Sequence, residues 1–358
     1  MKFRVAVGCL ITTLLLSLMP GISVSGARQD LKVPAAGVAH SNQGQTRDLY
    51  PAANIININE DPDIFATKVA HCPLSDQYLV VYERNDEIYG QRLENAGQLL
   101  GDPFLITDDP EWPDGNRRPD VACESTRDIF LVVWEHEFHS WDWDIQTRAV
   151  YGGYQSSGSQ FLSDVAFIST AGDDEHNPAV ACNSDDHTCL VVYQNKEYNN
   201  GDIYANRVSI GTTNISKSTP FIISNYAKAE WMPDVVWGSR EDEFLVVWTY
   251  DYSPTTGDDY SRILYTAIWD TEQTGSQRKL ASNYFVLQTG SYVNDQVVPA
   301  VAYNHRQREY LVVLAFLYDE DNLKYEIIGQ RKTKDHMDLG DSFRITTSGF
   351  SNSYSPAV

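Results

Sequence analysis

FLVVW occurs twice in this chain, at Phe130–Trp134 and again at Phe244–Trp248, and neither copy is interrupted by a polar residue. Side chains alternate between the two faces of a strand, so a strand with one face in water alternates apolar and polar residues. Five apolar residues in succession, mostly β-branched or aromatic, therefore predict a strand covered on both faces.

The segment belongs to a longer repeat. PDVACESTRDIFLVVW from Pro119 is matched by PAVACNSDDHTCLVVY from Pro178, PDVVWGSREDEFLVVW from Pro233 and PAVAYNHRQREYLVVL from Pro299. TKVAHCPLSDQYLVVY from Thr67 fits with Thr in place of Pro. A further copy opens at Pro356-Ala357-Val358, so repeats start at 67, 119, 178, 233, 299 and 356. Two more marks follow in each copy. One is EIYGQRL (Glu87), DIQTRAV (Asp144), DIYANRV (Asp202), RILYTAI (Arg262) or EIIGQRK (Glu326). The other is FLIT (Phe104), FIST (Phe167), FIIS (Phe221), FVLQ (Phe285) or FRIT (Phe343). Each repeat thus reads as four short strands, A to D, separated by Gly, Asp, Asn and Ser, with no helix.

Four strands per repeat of roughly 50 residues predict an all-β propeller of four-stranded antiparallel blades, five present and a sixth begun. Separate β-sandwich domains need about 100 residues each and would leave strand B half-solvated. The sixth opening is surplus to a ring of five and leads us to expect six or more blades in a longer form, against the alternative of a five-bladed ring with a small C-terminal tuck. The repeats resemble those of secreted bacterial propeller proteins of the pattern PAVAYN…EYLVVW…IYGQR…F.I, from Thr67 to Val358. That resemblance implies the fold and an exported location, and little about activity.

Ahead of the repeats, Lys2 and Arg4 precede an apolar run, Val5–Leu18, and small residues Ser25 and Ala27. This reads as a signal peptide over 1–27, too short to span a bilayer. Residues 28–66 read as a polar linker, in which NIININ at Asn54–Asn59 adds an edge strand at most. The formal charge of −22 argues against nucleic acid as a partner, and no segment predicts membrane insertion. Cys182 and Cys189 face each other if Asp185 and Asp186 form a two-residue turn. Cys72 and Cys123 are then left to pair between neighbouring repeats, or all four are buried thiols.

Antiparallel order sends the D–A and B–C loops to one face and the plain A–B loops to the other. The first face collects Trp112, Trp141, Trp143, Tyr198, Trp231, Tyr250, Tyr252 and Tyr318 among acids. Aromatic faces with carboxylate acceptors suit a glycan, or an extracellular protein. The same rings also suit packing of loop against loop. Asp120 and Asp234 follow the Pro of strand A in repeats two and four, where they either meet in the central channel as an acid–base pair for glycoside cleavage or simply accept backbone N–H bonds. Ala179, Ala300 and Ala357 hold that place elsewhere. HEFH at His136–His139 lacks zinc-protease spacing and reads as surface polarity. No cofactor is indicated, though the acids at Gly257–Asp259 and Asp319–Asp321 are candidate calcium ligands without an EF-hand pattern. The sequence alone thus points first to a non-enzymatic extracellular binding module. A propeller glycoside hydrolase or lyase is the alternative, and a structural repeat array of a larger surface protein is a third reading.

Overall fold

The computed structural model describes residues 64–107, 115–139, 142–156, 158–170, 174–196, 201–252, 260–269, 283–285, 298–319 and 324–346, with Pro356 and Val358. The signal segment 1–27, Asn54–Asn59, Trp112, Trp141, Tyr198 and Gly257–Asp259 lie outside the described residues, and Tyr252 and Tyr318 are described by backbone alone.

The chain is all β, in five antiparallel sheets ordered as they occur in sequence. Blade one is β1 (Ile64–Cys72), β2 (Gln77–Arg84), β3 (Glu87–Glu94) and β4 (Leu99–Leu105). Blade two is β5 (Asn116–Glu124), β6 (Ile129–His139), β7 (Asp142–Tyr151) and β8 (Ala166–Ser169). Blade three is β9 (Glu175–Asn183), β10 (Thr188–Asn195) and β11 (Asp202–Ile210), with β12 (Ile215–Lys217) and β13 (Phe221–Ser224) both paired to β11. Blade four is β14 (Glu230–Gly238), β15 (Glu243–Tyr252), β16 (Tyr260–Trp269) and β17 (Asn283–Phe285). Blade five is β18 (Pro299–Asn304), β19 (Glu309–Asp319), β20 (Lys324–Thr333) and β21 (Phe343–Arg344). The first strand starts at Ile64, three residues ahead of the first repeat as read from sequence.

Strand B behaves as its composition requires. Phe130 to Trp134 and Phe244 to Trp248 are wholly buried. Alternate side chains serve different interfaces: Leu245 and Val247 enter the core shared with blade five, while Phe244, Val246 and Trp248 enter the core shared with blade three. Burying one such side chain contributes roughly 1.5–3 kcal/mol, so these inter-blade layers dominate the stability of the ring.

One turn closes the A–B hairpin in every blade. It has four residues, and the last is left-handed: Asp76, Asp128, His187, Asp242 and Arg308 have φ between 55° and 59°. The turn between the paired cysteines is therefore Ser184–His187 rather than two residues. Its register still sets Cys189 opposite Cys182, and the two form a disulfide. Cys72 and Cys123 form the second, joining the innermost strands of blades one and two.

The sequence reading of the B–C connections is corrected. Glu135–His139 and Asp142–Asp144, taken as loop, are strand. The charge of Glu135 misleads because Arg117, Arg118 and the Asn177 N–H satisfy it inside the fold. His136 is likewise not a surface residue: it is buried, with Nδ1 3.0 Å from Asn116 Oδ1.

A candidate active site in the channel

The innermost strands of blades one to four carry the same defect. Arg117 pairs with Glu135 and Asp120 with Val133, so three steps on β5 oppose two on β6. The same single-residue bulge separates Phe65 from Lys68, His176 from Ala179 and Trp231 from Asp234. Its first residue is left-handed each time: Ala66, Arg118, Asn177 and Met232 have φ between 47° and 53°. Pro follows in three of the four, and the missing N–H is tolerated there because a bulge leaves it unpaired. Left-handed non-glycine residues cost on the order of 1–3 kcal/mol each, and such strain persists where surrounding structure over-determines it.

The residue after each bulge stands at the inner edge of its blade. Read around the ring, that place holds Lys68, Asp120, Ala179, Asp234 and Ala300. Asp120 Oδ2 accepts the Val180 N–H of blade three at 2.8 Å, and Asp234 Oδ2 accepts the Val301 N–H of blade five at 2.7 Å. Both carboxylates are thus inter-blade fastenings that accept backbone N–H groups, the plainer of the two sequence readings. The fastening occupies one oxygen. Asp120 Oδ1 lies 3.9 Å from Lys68 Nζ. The Lys68 side chain is 44 % exposed although blades surround it.

These three groups are electrostatically coupled. Burial raises Asp234 to about 6, with the Asp120 charge adding to the shift and Lys68 and the Val301 N–H opposing it. Burial also raises Asp120, held back by Lys68 and by the Val180 and Val121 N–H groups. Burial works against the Lys68 cation, but the two carboxylates outweigh it and raise its pKa. Sequence reading missed Lys68, because Thr67 replaces the Pro that marks the other repeats. Aligning TKVAHC with PDVACE places it in the aspartate column.

Beside the channel, Glu135 is buried and accepts from Arg117 Nε at 2.6 Å, Arg118 Nη1 at 3.0 Å and the Asn177 N–H at 2.6 Å. Its burial would raise the carboxyl, yet His176, Arg118 and the Asn177 N–H hold it at about 2. The Arg117 guanidinium covers the Trp143 ring at 3.5 Å. Trp143 is therefore half-buried with one face already stacked. Trp231 is half-buried with its Nε1 enclosed, and Tyr250 packs beside Tyr226 against the core between blades three and four. The described rim aromatics are engaged in packing.

Further along the rim, Glu175 is buried and accepts from Asn195 Nδ2 at 2.8 Å. Burial raises it to about 8, reinforced by Asp144 and Asp142. Burial, with Asp142, raises Asp144 to about 6. Among the described residues no group of three or more His, Cys, Asp or Glu is placed to hold a metal ion, and no helix is long and apolar enough to cross a membrane.

No protein-family model and no curated protein matches this sequence. Solved structures match its fold. The α-L-arabinofuranosidase Arb93A of Fusarium graminearum, solved with an iminosugar inhibitor, is similar over 75 % of this chain and 77 % of its own, at 15 % identity and a TM-score of 0.51. An α-L-arabinofuranosidase from Lactobacillus brevis covers 79 % of this chain and 95 % of its own at 11 % identity and a TM-score of 0.47. The Cellvibrio cellulosa α-L-arabinanase covers 78 % and 95 % at 10 % identity and 0.46. At these identities the likeness establishes the propeller. The first reading of the chain as a non-enzymatic binding module is overturned by the likeness to Arb93A, a propeller that is an α-L-arabinofuranosidase.

Proposed function

We propose that this protein is a propeller glycoside hydrolase that cleaves its substrate at the channel through Asp120 and Asp234. The observation that carries the reading is the unequal surroundings of two carboxyls within one coupled group. Glycoside cleavage needs one carboxyl protonated to release the leaving oxygen and a second ionised to activate water or attack the sugar. Asp234, at about 6, is suited to hold a proton. Asp120 has the Lys68 cation 3.9 Å from Oδ1, which favours its charged form against the upward push of burial. Asp234 then donates to the glycosidic oxygen, and Asp120 stabilises the positive charge that develops on the sugar ring or directs the attacking group. The two disulfides support an extracellular place of action.

The test is release of reducing ends from a panel of plant and bacterial polysaccharides, comparing the parent with Asp120→Asn and Asp234→Asn. Asn retains an oxygen for the Val180 or Val301 N–H, so the fastening survives. Loss of cleavage in both variants, with unchanged melting, is expected. Parent-level cleavage by either variant, or no cleavage of any glycan by the parent, overturns the reading.

A further inference from the structure

The bulge shared by the innermost strands of blades one to four holds a different residue at its left-handed position in each: Ala66, Arg118, Asn177 and Met232. Of these four, only Arg118 carries a charge. The bulge also decides where that charge goes. Consecutive residues of a regular strand point to opposite faces. Arg117 and Arg118 nevertheless reach the same carboxylate, because the extra residue turns Arg118 back to the side of Arg117. Arg117 Nε lies 2.6 Å from Glu135 Oε2, and Arg118 Nη1 lies 3.0 Å from Glu135 Oε1.

Glu135 has partners on both oxygens without Arg118. Oε2 takes the Arg117 Nε–H and lies 3.3 Å from His176 Nδ1, and Oε1 accepts the Asn177 N–H at 2.6 Å. Arg117 is held a second time by its stack on Trp143. Arg118 is engaged differently. Among the described residues its side chain donates only through Nη1, and that side chain is 45 % exposed. Its remaining edge, formed by Nε and Nη2, carries two parallel N–H groups in one plane, the geometry that matches a carboxylate. The backbone beneath it is fixed, since the Arg118 N–H donates to Glu83 Oε2 of blade one at 3.3 Å. Asp120 follows two residues later on β5, so the two Cα atoms are no more than about 7 Å apart. An exposed guanidinium fork thus stands one short step along the strand from the channel carboxylates.

We infer that Arg118 binds a carboxylate of the substrate, which makes the substrate an acidic glycan whose sugars carry carboxyl groups. The inference rests on the reading of Asp120 and Asp234 as the cleaving pair and names what they cleave. Glu135 holds the guanidinium by Nη1 and leaves the Nε–Nη2 edge to the ligand. The contact is a bidentate pair of charge-assisted hydrogen bonds, against which a neutral sugar offers only hydroxyls. The chain as a whole, at −22, repels polyanions at long range. Discrimination therefore comes from this contact and not from electrostatic steering.

The test is titration calorimetry on the Asp234→Asn protein, in which the ligand is expected to stay uncut. The probes are polygalacturonate, alginate, glucuronoxylan and polysialate, each beside its carboxyl-reduced form, and dextran sulfate beside dextran. At least one carboxylated polymer is expected to bind about tenfold or more tightly than its reduced form, the size of one charge-assisted contact. Arg118→Met and Arg118→Asn place at this bulge the residues that blades four and three carry at theirs, so the backbone is tolerated. Each is expected to abolish the preference while leaving the affinity for the reduced form and the melting temperature in place. Arg118→Lys keeps the charge without the fork and is expected to retain only part of the preference. Four results overturn the inference: equal binding of every carboxylated polymer and its reduced form, a preference that survives both neutral variants, a preference confined to dextran sulfate, or binding of none of the polymers. The outcome is separable from that of the hydrolase reading. Cleavage of neutral glycans by the parent, lost in Asp234→Asn and with no preference for carboxylates, keeps that reading and removes this site. Carboxylate binding through Arg118 with no cleavage by the parent keeps this site and removes that reading.

Discussion

The channel and the rim of this propeller are built from the same strands and solve different problems. In the channel, one strand position recurs around the ring, and its content varies between lysine, aspartate and alanine over an almost constant backbone. At the rim, backbone and content vary together. Glu135 is clamped by two arginines, while Glu175 is buried beside Asp142 and Asp144. A departure from the repeat on a conserved backbone course isolates a chemical choice. A departure that moves the backbone too mixes chemistry with packing. The channel is therefore the better place to look for catalysis.

The comparison breaks first on the channel carboxylates. Asp234→Asn and Asp120→Asn are each expected to lower kcat/KM by about 100-fold to 10,000-fold, the range for losing a general acid or base. Trp143→Ala at the rim is expected to fall short of about tenfold, with most of its effect on melting temperature. Steady-state kinetics with circular dichroism on all three variants decides which region does the chemistry.

The disulfides sharpen the same contrast from the opposite end of the innermost strands. Chain-entropy arguments assign about 4 kcal/mol to Cys72–Cys123, which closes a separation of 51 residues, and about 2 kcal/mol to Cys182–Cys189, which closes 7. Urea unfolding of the paired Cys→Ser variants should show the larger loss for the bridge between blades and leave any channel activity intact in the folded fraction.

Glu175 gives the rim a pH signature. Its folded pKa of about 8 lies above the ordinary 4.5, so the folded chain holds a proton that the unfolded chain releases between those values. Stability therefore falls as pH rises through that window. Glu175→Gln is expected to gain on the order of 3 kcal/mol at pH 9 and nothing at pH 4.5. Melting curves across that range that run parallel for the two proteins would contradict the assignment.

The smallest effect belongs to Lys68. Removing its charge with Lys68→Met raises both channel carboxyls, so the decline of activity expected above about pH 6, as Asp234 ionises, moves upward by about one pH unit. An unmoved pH profile would show that the cation does not act on the acid.

The fold was legible because strand B needs cover on both faces and the chain repeats that need five times. Cys182 and Cys189 were legible from their spacing, since any short hairpin returns them to one register. Asp120 and Asp234 were visible as a column, but Lys68 was hidden by the loss of one proline. The bulge that carries all three could not be seen, because a single extra residue in one strand leaves no mark in its composition. The rim misled for the opposite reason. Glu135, His136 and Asp144 look like loop residues until Arg117, Asn116 and the neighbouring strands are known to surround them.

The hydrogen bonds from Val180 to Asp120 and from Val301 to Asp234 carry one last consequence. A side chain that must swing into place on meeting its substrate gives up rotational freedom at that moment. Here the freedom is surrendered when neighbouring blades dock, before any ligand arrives. The orientation of each carboxylate is inherited from assembly of the ring, and a visiting molecule meets oxygens that have nowhere else to point.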